Sequence, residues 1–478
     1  MTYIPHTQDD IQAMLAAVGV SRIEDLFGAI PEGLRLARPL DLPPAESEIE
    51  VLRDISALAD RNRAAGSRSS FLGGGIYDHA IPSVVPALAC RSEFVTSYTP
   101  YQAEISQGVL QTIYEFQTMV CELTGMEAAN ASLYDGGSAV AEGAMMALRL
   151  AADDRHRVVV LPGVNPLYRR VLETYVEGLP VQVVDARMDG GAVDLTDLGK
   201  RVSSKTACVL VQYPNWLGNL EPLTEIISIA RERGARVVVS LDPVAMGLLK
   251  RPGDLGADIV VGEGQSLGIP MSGGGPYLGF LAARMKDIRQ MPGRIVGATV
   301  DAEGRRGYVL TFQTREQHIR RARATSNICT NQALVALTAT IHMAALGKGG
   351  LRETAVQCAQ KARYAAERLS AIPGFSLAFP GVPFFKEFAV RTPVRPAVLN
   401  RALSKAGIVG GLDAGTLDKK MKGLWLVAVT EKRTREEIDR MVDVVSAVVS
   451  KRKLTPTLAL PRQGGGDKRE THLPLERG

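Results

Sequence analysis

Three short stretches of this sequence place residues that could bind or react with a ligand where a sheet-based enzyme holds one. Asp242 closes the apolar run "ARVVVSLD" (235–242), so its carboxylate stands at the end of a strand. A carboxylate there is what the ring nitrogen of pyridoxal phosphate takes as its partner, although an Asp just before Pro243 also suits the start of a turn. "DGGSAVAEG" (135–143) sets Gly136, Gly137 and Ser138 at the start of a helix. Free N–H groups and the helix dipole attract an anion such as a phosphate there, while a glycine-rich turn that only opens a helix has the same appearance. The third stretch, "GEGQSLGIPMSGGGPYLGF" (262–280), follows the strand "ADIVVGE" (257–263) and begins about twenty residues after Asp242. A covalent link to the cofactor aldehyde needs a lysine amine in such a loop, and the place is held by Gln265, whose amide forms no imine. Lys250 is eight residues after Asp242, too close to reach back from the next strand, and Lys286 lies beyond the strand that follows. The chain has the outline of a pyridoxal phosphate site without its covalent group.

The elements that must carry these residues alternate from about residue 156 onward. Strand candidates are 156–164, 181–187, 207–215, 235–242, 257–263 and 277–283, with helical stretches between them. That alternation predicts a doubly wound α/β domain with a mostly parallel sheet. In such open sheets ligands sit at the carboxyl ends of the strands, which is why the residues just after each strand matter. Between two strands, "EPLTEIISIARERG" (221–234) lines Leu223, Ile226, Ile227 and Ile229 mostly on one face and stops at Gly234. Further helices are expected over 101–125, closed by Gly125, and over 136–152, 325–346 and 352–372. A smaller α+β segment follows, with a hairpin-like 375–390, a strand 424–430 and a last helix opened by a Thr434/Glu437 capping box. The expected division is an N-terminal arm or helical segment (1–70), a large α/β domain (71–346), a small C-terminal α+β domain (347–450) and a basic tail (451–478). No internal repeat is visible.

With 478 residues, 46% of them hydrophobic, the chain can bury a large core. No run approaches the eighteen or so uninterrupted apolar residues of a membrane span, and "MTYIPHTQDDIQ" lacks the layout of a signal peptide. A cytoplasmic protein without membrane contact is expected. Five scattered cysteines, Cys90, Cys121, Cys208, Cys329 and Cys358, suggest neither a disulfide framework nor a zinc site, and no metal is expected. The formal charge of +5 resides mostly in the tail, where seven Lys or Arg face three Asp or Glu, a net +4. The tail reads as disordered, and nucleic acid is not an expected partner of the nearly neutral body.

"FLGGGIYDHAIPSVV" (71–85), "YTPYQAEISQGVLQTIYEFQTMVCELTGM" (98–126), "NASLYDGGSAVAEG" (130–143), "GQSLGIPMSGGGPYLGF" (264–280), "FQTREQHIRRARATSNICT" (312–330) and "LWLVAVTEKRTREEID" (424–439) together resemble the glycine decarboxylase P-protein family, in its amino-terminal half, over roughly residues 1 to 450. The resemblance implies an aspartate-aminotransferase-type fold, fold type I of the pyridoxal phosphate enzymes, for the large domain. It implies a second, lysine-bearing subunit, paired with this one as a heterotetramer, on which pyridoxal phosphate is expected. With that partner, glycine is decarboxylated and the aminomethyl group passes to the lipoyl arm of the H-protein. Gln265 stands where the partner's lysine would be, Asp242 matches the pyridinium-binding carboxylate, and Gly137 with Ser138 lie near the phosphate turn. These four residues form a vestigial pocket, and no catalytic residue is expected in this chain.

Two other features draw notice. "TREQHIRRARATSN" (314–327) gathers Arg315, His318, Arg320, Arg321 and Arg323, which suits docking of an acidic carrier or a solvated or subunit-facing helix. His79 beside Asp78 suits a general base or an ordinary hydrogen-bonded structural histidine. Two rival functions remain: a self-sufficient pyridoxal phosphate enzyme acting through another lysine such as Lys250, and a purely structural or regulatory scaffold.

Overall fold

The β-branched runs assemble into one seven-stranded sheet. In chain order its strands are β1 (Ala128–Ala129), β2 (Arg157–Val160), β3 (Gln182–Asp185), β4 (Thr206–Tyr213), β5 (Arg236–Leu241), β6 (Ile259–Glu263) and β7 (Gly279–Ala283). Their order across the sheet is β1-β7-β6-β5-β4-β2-β3. Strands β2 to β6 run parallel, and β7 is antiparallel to β6 and β1. The computed structural model describes residues 5–36, 38–62 and 64–453. Most of the basic tail, 454–478, and hence the disorder expected for it, lies outside the described residues.

Alternate residues of each strand fall into separate cores, as a sheet covered on both faces requires. Val159, Val209, Val211, Val237, Val239 and Val260 pack against Phe116 and Val120 of α3 (Gln107–Thr124), Ile226 and Ile227 of α6 (Leu223–Glu232), and Ala336 and Ala339 of α7 (Ala333–Ser370). Val158, Val160, Leu210, Val238 and Val261 pack against Val140, Ala144 and Ala147 of α4 (Gly136–Arg149) and Leu172 of α5 (Pro166–Val176). The doubly wound α/β architecture expected from the alternation is present.

A second, antiparallel sheet follows in the order β8-β9-β11-β10, from β8 (Ser376–Leu377), β9 (Glu387–Arg391), β10 (Leu412–Asp413) and β11 (Leu424–Ala428). Phe388 and Val390 of β9 and Trp425 and Val427 of β11 share a core with Ala362 and Leu369 of α7, Leu399 and Leu403 of α8 (Pro396–Lys405), and Ile438, Met441 and Val445 of α9 (Arg435–Lys453).

Helix boundaries differ from the sequence reading in two places. Residues 101–106 are not helical, and α3 begins only at Gln107. The two helices expected at 325–346 and 352–372 are one run from Ala333, bent at Gly347 (φ 60°, ψ −176°). Residues 325–332 stay irregular because their polar groups are used elsewhere: the Arg294 guanidinium donates to the Cys329 carbonyl, and Asn331 Nδ2 donates to the Ala131 carbonyl. By length and composition alone α7 could cross a membrane, yet it packs on α3 and on the short helix Val84–Ala89.

The chain divides into two compact units, residues 1–63 and the remainder. The first contains α1 (Gln8–Val18), opened by a Thr7/Asp10 capping box and closed by Gly19, and α2 (Glu48–Ala59), opened by a Ser47/Glu50 capping box. Its apolar side chains lie largely in solvent. Ile49, Leu52 and Ile55 of α2 are 78%, 60% and 58% exposed.

Candidate functional site

The carboxyl ends of β4, β5 and β6 open onto a cavity lined by Tyr77, Tyr168, Gln212, Ser240, Asp242, Glu263, Lys386 and Glu387, among others. Asp242 stands there as expected, just after β5. Its Oδ1 accepts the Val244 N–H at 3.0 Å, a turn contact, and its Oδ2 lies 2.7 Å from the Lys386 ammonium. The carboxylate shapes its turn and also faces the cavity with a cation on it.

Lys386 comes from the segment leading into β9. Phe385 N–H donates to the Gly218 carbonyl (3.1 Å), and Val429 N–H to the Lys386 carbonyl (2.8 Å). Gly218, at φ 88°, must be glycine: a Cβ would lie 1.8 Å from the Glu387 carbonyl oxygen. This tight seam drives the lysine inward, and it ends 2% exposed. A buried ammonium is costly unless paired. It is paired on three sides, by Asp242, by His79 Nε2 at 2.9 Å and by the Tyr77 ring face, 3.9 Å from its centroid.

These contacts fix the state of His79. An ammonium only donates, so Nε2 accepts and the ring proton sits on Nδ1, which donates to Glu431 Oε2 at 2.7 Å. Burial, and then the Lys386 charge, pushes the His79 pKa down and keeps the ring neutral. Glu431 also accepts the Ala80 N–H at 2.7 Å and the Cys358 thiol at 3.3 Å. His79, Cys358 and Glu431 bring their donor atoms close enough to surround an ion, but the proton that Lys386 places on Nδ1 occupies the lone pair a metal would need. The neighbour suggested by the sequence, Asp78, turns away to Lys432 and Arg433. His79 is thus a hydrogen-bonded link in a buried chain, Asp242–Lys386–His79–Glu431.

The anion end of the cavity is also filled from within. Glu263, the last residue of β6, lays Oε2 on the Gly136 N–H at 2.8 Å, while Oε1 accepts the N–H groups of Gln265 (2.9 Å) and Leu278 (3.1 Å). Burial raises its pKa to about 7 against these three donors. At Gly136 a Cβ would lie 2.7 Å from the Tyr168 hydroxyl and 2.8 Å from the Glu263 Cβ, so both side chains stand against the first turn of α4. Gly137 and Ser138 sit in that turn, where the Ser138 N–H is capped by Asp135 Oδ1 at 2.7 Å. They do not line the cavity; Gly136 meets the anion instead.

Gln265 is 2% exposed and fully bonded. Its Nε2 donates to the carbonyls of Ile269 (2.7 Å) and Tyr77 (3.1 Å), and its Oε1 accepts the Tyr77 N–H at 3.0 Å. The amide ties the loop to the 71–85 segment from behind the cavity wall. Glu387 completes the site: it accepts the Tyr77 hydroxyl and the Gly74 N–H, both at 2.8 Å, and burial lifts its pKa to about 7. Lys250 and Lys286 are exposed and do not line the cavity.

In the basic segment, Arg315 is buried and donates to the carbonyls of Met291 and Gly293. His318, Arg320, Arg321 and Arg323 are exposed, and the helix shrinks to one turn (Gln317–Arg320), broken by Arg321 at φ 53°.

The residues do not fit pyridoxal phosphate as they stand. Asp242, the carboxylate suited to a ring nitrogen, already holds an ammonium, the N–H group suited to a phosphate already holds a carboxyl group, and no lysine occupies the loop. The seven-stranded sheet, the second sheet and a site at the strand ends define an aminotransferase-type chain, fold type I of the pyridoxal phosphate enzymes. Solved structures with little sequence likeness share that fold: a NifS-like protein (15% identity, TM-score 0.61, covering 80% of this chain and 100% of that one) and a cysteine desulfurase from Thermococcus onnurineus (16%, 0.62, 86% and 100%). The family model described as glycine cleavage system P-protein matches residues 1–445. The probable glycine dehydrogenase (decarboxylating) subunit 1 of Thermomicrobium roseum is 50% identical over 446 residues, 93% of this chain and 99% of that protein. Its counterpart in Desulforamulus reducens is 51% identical, covering 94% and 100%. A crystal structure of glycine decarboxylase (P-protein) of the glycine cleavage system, in inhibitor-bound form, superposes with a TM-score of 0.85 at 44% identity, covering 94% and 100%. The chain belongs to the glycine cleavage system P-protein family, on the branch of glycine dehydrogenase (decarboxylating) subunit 1.

Proposed function

We propose that this chain is the subunit of glycine decarboxylase that works without binding pyridoxal phosphate itself. The observation that carries the reading is Gln265: the loop position suited to the imine lysine holds an amide whose hydrogen-bonding groups are all spent on backbone. Among the described residues lining the cavity the lysine is Lys386, and its ammonium is engaged by Asp242 and His79. An amine whose nitrogen is engaged by both a carboxylate and an imidazole in this way is poorly placed to attack an aldehyde, which counts against a self-sufficient enzyme. The "subunit 1" relatives imply a second subunit. On this reading the second subunit carries the cofactor, which acts there as an electron sink when glycine loses its carboxyl group, and the aminomethyl group passes to the lipoyl arm of the H-protein.

This chain's own residues then act by shape. The Gln265 amide and the Asp242–Lys386–His79–Glu431 chain hold the 71–85 segment, the strand ends and the second sheet in one arrangement. The exposed leucines and isoleucines of the N-terminal unit offer apolar area to the second subunit, in a heterotetramer. Assay of glycine–carbon dioxide exchange with each chain alone and with both decides the matter. Exchange is expected only in the mixture, and pyridoxal phosphate fixed by borohydride is expected only on the second chain. A scaffold that leaves the active site untouched predicts unchanged turnover when Asp242 or Gln265 is replaced and assembly persists.

A further inference from the structure

Loss of one lysine explains the absence of a covalent link, yet it does not explain two charged side chains driven into the same cavity. Lys386 contributes a buried cation on Asp242 Oδ2, and Glu263 contributes a carboxylate on the Gly136 N–H. Each stands at an atom suited to one ionic group of pyridoxal phosphate: a protonated ring nitrogen on the aspartate and a phosphate at a helix N-terminus. We propose that Lys386 and Glu263 are built-in substitutes for those two groups, and that they, beyond the missing lysine, determine that this pocket refuses the cofactor. The proposal rests on the reading that the chain works without pyridoxal phosphate, and it names the residues that enforce it.

The exclusion is electrostatic as well as steric. A protonated ring nitrogen would have to share Asp242 Oδ2 with an ammonium 2.7 Å away. A phosphate dianion at Gly136 would have to displace the Glu263 carboxyl group from the N–H it holds at 2.8 Å, and wherever that group is ionised it would set like charge against like. Like charges set side by side in a buried site suppress the wrong ligand strongly. Conversely, Asp242, His79 Nε2 and the Tyr77 ring form a cradle for an organic ammonium ion. The carbons and nitrogen beyond the Lys386 Cβ amount to propylammonium.

The test is uptake of pyridoxal phosphate, retained through gel filtration, fixed by borohydride and mapped to a residue. The proteins compared are wild type, Gln265→Lys, and the triple variant Gln265→Lys/Lys386→Met/Glu263→Gln. The triple variant is expected to carry at least about tenfold more label at position 265 than the single variant, and wild type none in the cavity. Full labelling of Gln265→Lys alone overturns the proposal, because the lysine would have been all that was missing; a folded triple variant that takes up no label overturns it as well. Label in the wild-type cavity defeats the reading of a cofactor-free subunit instead. Should the triple variant not fold, Lys386→Ala decides. Propylammonium is expected to raise its melting temperature and 1-propanol at equal concentration is not, whereas an equal response to both, or to neither, overturns the assignment.

Discussion

The cavity and the N-terminal unit break the usual rule of burial in opposite senses. Around Asp242 the molecule buries what proteins normally expose: Lys386 and Glu387 are each 2% accessible, with every charge answered by a partner of this chain. In α2 it exposes what proteins normally bury, a stripe of Ile49, Leu52 and Ile55 at helical spacing. In one region the chain's own side chains supply the partners of the buried charges. The other is unfinished, since apolar area of that extent signals a surface meant to be covered. On the proposed reading, the two regions belong to a chain that fills its own pocket with charge and keeps its apolar stripe for a partner.

The sharpest way to break that contrast is to charge the exposed stripe. Leu52→Asp with Ile55→Asp is expected to leave the melting temperature of the isolated chain nearly unchanged, because both side chains already face water. It is expected to weaken assembly with the second subunit by about 4–6 kcal/mol, as two large apolar groups lose their burial and two carboxylates meet the interface. Sedimentation of the mixed subunits measures it, and unchanged association would show that the stripe is ordinary surface. In the cavity the expectation is the reverse, with no effect from outside and a large one from within. Lys386→Met alone strands Asp242 and is expected to cost about 3–5 kcal/mol in urea unfolding, while Lys386→Met with Asp242→Asn, which removes the charge on both sides, recovers most of that loss. Equal destabilisation by the single and double variants would mean that the ion pair contributes nothing specific.

The part of this that is legible in the sequence follows from position along strands. Asp242 and Gln265 can be named because each follows a recognisable β-branched run, and the ends of such runs converge at a ligand site. Glu263 is in view as the last letter of "ADIVVGE" yet reads as a strand end, since nothing local says that its carboxylate folds back onto Gly136. Lys386 escapes for a different reason: "FSLAFPGVPFFKEFAV" reads as an apolar hairpin, and its one signal is a Lys-Glu pair inside a run otherwise suited to burial. Two adjacent charges there must find partners or stay at an edge, but the partners, Asp242, His79 and Tyr77, lie more than a hundred residues away. The same distance hides Glu431 behind the nearer Asp78 as the partner of His79. Local pattern locates the strand ends; only the fold shows which distant charges meet at them.

The two buried glutamates give a pH test of intermediate size. Glu263 and Glu387 are both raised to about 7 by burial, from about 4.5 when exposed. A carboxyl whose folded pKa is raised contributes stability that is full below the unfolded value and is lost as pH climbs through the folded one. Each is therefore expected to withdraw about 3 kcal/mol between pH about 4.5 and 7. Glu387→Gln keeps an acceptor for the Gly74 N–H and removes the ionisation. In urea unfolding at a series of pH values it is expected to be level with wild type near pH 4, to gain on it as pH rises to about 7, and to hold that margin above it. A constant offset between the two curves would mean that Glu387 does not titrate in that range.

The smallest effects belong to the basic segment, which repeats the contrast in miniature. Arg315 is buried with its guanidinium on the carbonyls of Met291 and Gly293, so Arg315→Ala strands two acceptors and is expected to cost about 2 kcal/mol of stability. Arg320 and Arg323, a few residues on, are exposed, and Arg320→Ala/Arg323→Ala is expected to stay within about 0.5 kcal/mol in unfolding. If those two arginines meet an acidic carrier, the cost appears elsewhere, as a rise of about threefold in the apparent KM for the H-protein at low ionic strength that fades as salt screens the pair. A kcat that falls with KM unchanged would place them at a subunit contact instead, where orientation of the partner chain, and not encounter with the carrier, is what a surface arginine controls.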